Sequence, residues 1–267
     1  MSRVFIVTDS AATIAPAVAE RLDITVLPLT VRINHQDFQD GADLDHEDLL
    51  LRMAHDRIRP GIVGPTVDEF RRVYSHLTRR TDKIISLHSS ASLSLVCQEA
   101  QKAAREFLGR CDIVVMDSET LSLGLGILVE EAARMARASV PLSEIMRQIR
   151  GIIRRIYIVL ITDTLDYLEH SERISSAQAI LGTMLVIKPF LSLEEGEIIP
   201  MEKVRNRERA IDKLAEFASE FSTIERVAIL QSTLYPTDET KMLKERLALI
   251  APGHEFPILL YGPLLAS

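Results

Sequence analysis

The chain has 267 residues, 47% of them hydrophobic and 26% charged, with a mean hydropathy of +0.11. That length suits one large or two small domains and buries a core without disulfides, and 11 Gly with 11 Pro exclude collagen-like and low-complexity classes. The net charge of −7 argues against a nucleic-acid partner, which needs a basic footprint, and against adsorption to anionic lipid surfaces.

The first half alternates strand-like and helix-like segments. Val4 to Thr8 reads as a buried strand and residues 15–22 as a helix. Ile24 to Ile33 is rich in β-branched residues and reads as a second strand. Asp45 caps a helix predicted over 46–56, and Arg59-Pro60-Gly61 breaks the chain. Thr66 and Glu69 have capping-box spacing ahead of a helix over 67–80. Ile84 to His88 is a strand. Leu93, Val96, Cys97, Ala100, Ala104 and Phe107 then recur at helical spacing. Ile113 to Met116 is another strand, followed by a helix over 121–138. The alternation implies a mostly parallel sheet flanked by helices, whose ligands lie beyond the carboxyl ends of the strands. The loops of interest are therefore Asp9-Ser10, Ser89-Ser90 and Asp117-Ser118.

The second half reads as a helix over 142–154, a strand from Tyr157 to Ile161 and a short helix over 175–183. Leu185 to Leu193 and Gly196 to Ile199 flank Glu194-Glu195-Gly196, a hairpin signal. A helix over 206–221, a strand from Val227 to Gln231, a helix over 238–249 and a strand from Phe256 to Tyr261 follow. The expected architecture is two α/β domains, residues 1–155 and 156–267. The second has a partly antiparallel sheet, and a ligand cleft separates the two.

Cys97 and Cys111 both fall in apolar surroundings and read as reduced thiols of a cytoplasmic protein. Asp9 interrupts the apolar N-terminal stretch, so no signal peptide is expected, and no apolar run is long enough for a membrane span. The Cys and His spacing suggests no metal. Aromatic residues make up 5% of the chain and Trp is absent, a composition whose aliphatic walls suit hydrocarbon better than a stacked base.

Ser89-Ser90-Ala91-Ser92-Leu93-Ser94 lies between a strand and a helix start, where hydroxyls and free N–H groups could hold a carboxylate or phosphate; one serine as a helix cap is the simpler reading. Asp9 and Asp117 each end a strand before a serine. They could bind Mg²⁺, although an Asx turn capping the next helix is commoner. Ser122-Leu123-Gly124-Leu125-Gly126 is not a dinucleotide fingerprint and signals close backbone approach. His88 precedes the serines, but a hydrolase needs an oriented base and an oxyanion hole, and no Gly-x-Ser-x-Gly elbow is present. Arg173 and Arg205 near helix starts could neutralise a carboxylate.

Taken in order, several segments resemble the DegV family of bacterial lipid-binding proteins over nearly the whole chain. They are Val7-Thr8-Asp9-Ser10, Leu27-Pro28-Leu29, Asp40-Gly41, the serine cluster ahead of Gln98, and Asp117-Ser118 with Ser122-x-Gly124-x-Gly126. Thr164-Leu165-x-Tyr167-Leu168, Arg173-Ile174, Ile187-Lys188-Pro189 with Gly196, and Lys203-x-Arg205 complete the set. The resemblance implies a fatty acid or other long-chain lipid buried between two domains. The protein is then a non-enzymatic carrier, without cofactor, that presents the acyl carboxylate to a fatty acid kinase. An acyl chain gains about 0.8 kcal/mol per buried methylene, whereas its carboxylate needs hydrogen bonds and a cation.

The mouth departs from the family pattern. Ile62-Val63-Gly64-Pro65-Thr66 stands where the family has a Thr-Ser-Gln-Pro-Ser-like stretch, so only Thr66 keeps a hydroxyl. Ser90 and Ser94 survive in the serine stretch, but its Gly-Thr pair is lost, with Leu95-Val96 in its place; a one-residue shift in register puts Ser89-Ser90 in place instead. Leu260 stands where the family has a histidine that reaches the carboxylate. Two outcomes follow. Either the lipid has a less polar head, or a fatty acid is held at a rebuilt mouth that uses His88, Ser89 and Arg173. A scaffold without ligand and a phosphotransferase or hydrolase built on Asp9, Asp117 and the serines are the competing readings.

Overall fold

The computed structural model describes residues 3–56, 58–162 and 188–266. The helix expected over 175–183, the Thr164 to Leu168 motif and Arg173 lie outside the described residues.

A parallel sheet forms the centre of the first half, with strand order β2-β1-β6-β7: β1 (Phe5–Asp9), β2 (Ile24–Leu27), β6 (Lys83–His88) and β7 (Asp112–Asp117). All five residues of β1 are buried, as a central parallel strand covered on both faces requires. Helices α3 (Val67–Leu77) and α4 (Val96–Ala104) cover one face, where Phe5, Val7 and Ile84 pack against Phe70, Tyr74 and Ala100. Helices α1 (Pro16–Leu22), α5 (Ser122–Arg137) and α6 (Leu142–Ile153) belong to the other, where Ile6, Ile85 and Leu87 meet Leu125, Val129 and Ile149. The Thr66 box forms as its spacing predicts: Thr66 Oγ1 accepts from the Glu69 N–H, and Glu69 accepts from the Thr66 N–H.

The single strand expected from Ile24 to Ile33 is two strands. Pro28 supplies no N–H to a ladder. The chain turns there and enters a separate antiparallel sheet, order β4-β3-β5, of β3 (Thr30–Ile33), β4 (Gln36–Gln39) and β5 (Gly61–Val63). Asn34 and His35, both at positive φ, make the two-residue turn between β3 and β4. Helix α2 (His46–Asp56) and the C-terminal α9 (Pro263–Ala266) belong to the same layer as this sheet: Val31, Leu49, Leu50, Met53 and Ala266 share one apolar cluster.

In the second half, β8 (Ile158–Ile161), β9 (Lys188–Glu194) and β10 (Glu197–Val204) form an antiparallel sheet whose β9–β10 turn is the expected Glu195-Gly196 hairpin. Helices α7 (Arg207–Ser219) and α8 (Asp238–Ile250) pack beside a two-stranded parallel sheet of β11 (Ile229–Gln231) and β12 (Ile258–Leu260). No helix among the described residues is long and apolar enough to cross a membrane.

Candidate functional site

The carboxyl ends of β1, β6 and β7 bring the three expected loops together. Asp9, Ser86, His88, Ser89, Ser90 and Tyr74 are all fully buried there. Asp9 caps the short 3-10 turn that follows it, accepting from the Ala11 N–H at 3.1 Å. Its other oxygen lies 2.9 Å from His88 Nδ1 and also accepts from the Ser89 N–H at 3.4 Å. A carboxylate only accepts, so Nδ1 carries the proton. The Tyr74 hydroxyl donates to Ser86 Oγ at 2.7 Å, which leaves the Ser86 proton free for His88 Nε2, also at 2.7 Å. A directed chain Tyr74–Ser86–His88–Asp9 results, with every polar side-chain atom partnered. The Phe70 ring stands edge-on to the imidazole at 5.0 Å.

This is the residue set of a hydrolytic triad turned into the core, where a buried polar network must be fully satisfied. Neither ring nitrogen of His88 is left for a ligand, so the structure removes it from the rebuilt mouth. Burial pushes the Tyr74 phenol and the Cys97 thiol well above their ordinary values, and Asp117 and Asp9 add to the effect on the thiol. Asp117 accepts from the N–H groups of Ala91 and Glu119, an Asx-type role like that of Asp9. Among the described residues no group of three or more His, Cys, Asp or Glu side chains could hold a metal ion.

The serine stretch is largely engaged by the fold itself. Ser90 Oγ donates to the Gly196 carbonyl at 2.7 Å, tying β6 to the β9–β10 hairpin, and accepts from the Ser92 N–H at 3.2 Å. Gly196 is required: its φ is +84°, and a Cβ there would come within 2.5 Å of Ser90 Oγ. Ser94 Oγ accepts from the Val96 N–H at 3.3 Å in the turn that leads into α4. Ser92 is exposed. Ser89 Oγ is buried without a hydrogen-bond partner, as are Thr8 Oγ1 and Thr120 Oγ1.

At the expected mouth, Ile62, Leu260 and Tyr261 are each half-buried against one apolar cluster that includes residues of α2. Val63 is 41% exposed and pairs with Thr30 across the sheet. Gly64 is close beneath Val96, 2.6 Å from that side chain to where a Cβ would stand. Thr66 is exposed and engaged with Glu69 through both hydroxyl and N–H. Arg205 is exposed, on the turn between β10 and α7.

A second polar group lies beside this cluster and carries no obvious sequence signal. Asp40, whose side chain is 2% exposed, accepts from Ser10 Oγ at 2.5 Å and lies 3.0 Å from His46 Nε2. Ser10 Oγ in turn accepts from the Leu29 N–H at 2.9 Å. The His46 ring rests on Gly262, where a Cβ would come within 3.2 Å of its Cε1 and 3.5 Å of Thr13 Oγ1. Thr13 and Ser122, at φ 50° and 52°, place their hydroxyls 3.4 Å apart. Left-handed backbone at a β-branched residue is strained, and such strain concentrates at functional sites. Asp40-Gly41 was legible as a motif, but its imidazole partner was not.

The layered α/β fold gathers its polar loops at the strand ends beside an aliphatic cluster. The DegV family model, whose description is an uncharacterised protein family, matches residues 3–267, and the chain belongs to that family. A DegV domain-containing protein of Streptomyces coelicolor is 35% identical over 260 residues, 95% of this chain and 90% of the relative. One from Deinococcus radiodurans is 34% identical, over 79% of this chain and 74% of its own. Among solved structures, the fatty-acid-binding DegV of Bacillus subtilis superposes with a TM-score of 0.85 at 26% identity, over 100% of this chain and 95% of its own. A fatty-acid-binding family member from Thermus thermophilus gives 0.83 at 27% identity, over 99% and 94%.

Proposed function

We propose that this chain binds a long-chain fatty acid or related lipid in a cleft between an N-terminal unit, residues 1–155, and a C-terminal unit, 156–267. It acts there as a carrier and not as a catalyst. The observation that carries the reading is the near-full-length likeness to two solved fatty-acid-binding relatives, joined to the apolar cluster against which Ile62 and Leu260 both pack. The sealed state of the Asp9–His88–Ser86 chain supports a non-enzymatic role, because no substrate reaches a serine with no exposed surface.

The family resemblance makes a fatty acid kinase the partner to which the acyl group is presented. A specific observation favours a second reading, in which lipid binding persists without carboxylate phosphorylation. Ile62 and Leu260 lie half-buried against an apolar cluster, and the hydroxyls of Ser90 and Ser94 serve backbone groups. Among the described residues a carboxylate at that mouth meets few donors, and burying an ion without partners is costly. Incubating the lipid-loaded protein with a fatty acid kinase and ATP separates the two: acyl phosphate forms under the first reading and is absent under the second.

A further inference from the structure

We propose that the cavity beside the carboxyl end of β7 binds a phosphate monoester, with Arg150 and Arg154 receiving the phosphate. This site is separate from the serine stretch and does not depend on the lipid-binding reading above.

The cavity has a volume of about 290 Å³, at the small end of the range for ligand pockets, so a compact ligand fits it. It lies where the outer edge of the parallel sheet meets the end of α6. Among the described strands β7 pairs with β6 alone, and ligands of such sheets gather beyond the carboxyl ends of the strands. Val115 and Ile153 supply an apolar wall, and Asp117, Glu119, Arg150 and Arg154 a charged one.

The arginines of this stretch divide by place. Arg147 holds Glu144 through two contacts, at 2.6 and 2.9 Å, and Arg155 pairs with Glu225. Arg150 and Arg154, the two that line the cavity, make no ion pair or hydrogen bond among the described residues. They stand four residues apart at the end of α6, a spacing that sets their stems side by side. Two permanently charged, planar guanidinium groups facing one space suit a dianion held by paired hydrogen bonds. A carboxylate neutralises one of the two charges, whereas a phosphate monoester at pH 8 neutralises both.

The acids of the cavity are committed elsewhere. Asp117 spends its oxygens on the N–H groups of Ala91 and Glu119, at 3.2 and 2.8 Å. Glu119 sits at φ 52° on an exposed turn, and its Cα lies 3.4 Å from where a Cβ on Gly196 would stand, so the β9–β10 hairpin abuts that turn. Both acids repel an anion, so weak binding is expected, and removing the Glu119 charge is expected to strengthen it.

The test titrates the full-length chain at pH 8 with phenyl phosphate and, separately, with benzoate, a monoanion on the same ring. Arginine Nε–H signals, followed by nuclear magnetic resonance, read the binding. Phenyl phosphate is expected to saturate, to move the signals that are missing from the Arg150→Gln and Arg154→Gln spectra, and to bind about fivefold or more tightly than benzoate. Each of those two exposed substitutions is expected to weaken phenyl phosphate by about tenfold, the scale of one hydrogen bond to a charged group. Glu119→Gln is expected to strengthen it by about twofold. No saturation with phenyl phosphate overturns the proposal. So does benzoate binding as tightly, which makes the site one for a monoanion, and so does full affinity in either arginine variant, which puts the ligand elsewhere on the surface.

Discussion

Two His–Asp pairs in this molecule differ in how far their hydrogen bonds are completed within the fold. His88 and Asp9 are fully buried; Ser86, Tyr74 and backbone N–H groups complete every bond. His46 and Asp40 make the same kind of contact at 3.0 Å, but one imidazole nitrogen is left over and the side chain keeps 20% exposure. The comparison teaches that the residue pair does not define the role. The saturation of its hydrogen bonds does. A saturated pair rigidifies the core, and a partly exposed one leaves a ring nitrogen to solvent.

Breaking the buried pair gives the largest expected effect. Asp9→Ala strands the Nδ1 proton of His88 and the N–H groups of Ala11 and Ser89, and is expected to cost about 3–5 kcal/mol in urea unfolding. A loss below about 1 kcal/mol would show that the network is not structural. His46→Phe, by contrast, is expected to change unfolding stability by less than about 1 kcal/mol. An equal cost for the two substitutions erases the distinction.

Next comes the tie between the halves. Gly196→Ala places a Cβ against Ser90 Oγ on backbone at φ +84°, for an expected cost of about 1–3 kcal/mol in thermal unfolding. Ser90→Ala removes the donor to the Gly196 carbonyl and is expected to cost about 1–2 kcal/mol, with no change in strand content by circular dichroism.

The smallest effect concerns the thiols. Burial pushes Cys111 up to about 11 from an ordinary value of 9.0, and Cys97 higher still. Between those two values the unfolded chain releases a proton that the native chain keeps, so stability falls as pH rises from 9 toward 11. At pH 8 both thiols are expected to react with an aromatic disulfide reagent only after denaturant is added; rapid labelling of native protein contradicts their burial.

Much of the fold was legible because its signals are local. Continuous apolar runs marked β1 and β6, and Thr66 with Glu69 marked α3. The Asx role of Asp9 and Asp117 was legible too, since an aspartate ending a strand before a turn has few other tasks. The antiparallel β3–β5 layer was harder to see. Its β4 is polar, its β5 spans three residues, and only Pro28 hints that the chain changes sheets. The candidate site resisted for a different reason. Ser90 meets Gly196 across 106 residues, and His46 meets Gly262 across the length of the chain. No periodicity encodes which hydroxyl a distant carbonyl will take or which ring a distant glycine will admit. Ile62 and Leu260 were recognised one at a time as apolar; their packing against one cluster needed the fold.

Lipid binding is the claim on which the rest depends. Purified protein, extracted into organic solvent and analysed by mass spectrometry, tests it most directly. The account predicts a long-chain lipid released at close to one per chain and a raised melting temperature when such lipid is added back to stripped protein. An extract free of long-chain lipid, with no thermal shift from any fatty acid or alcohol, would contradict it.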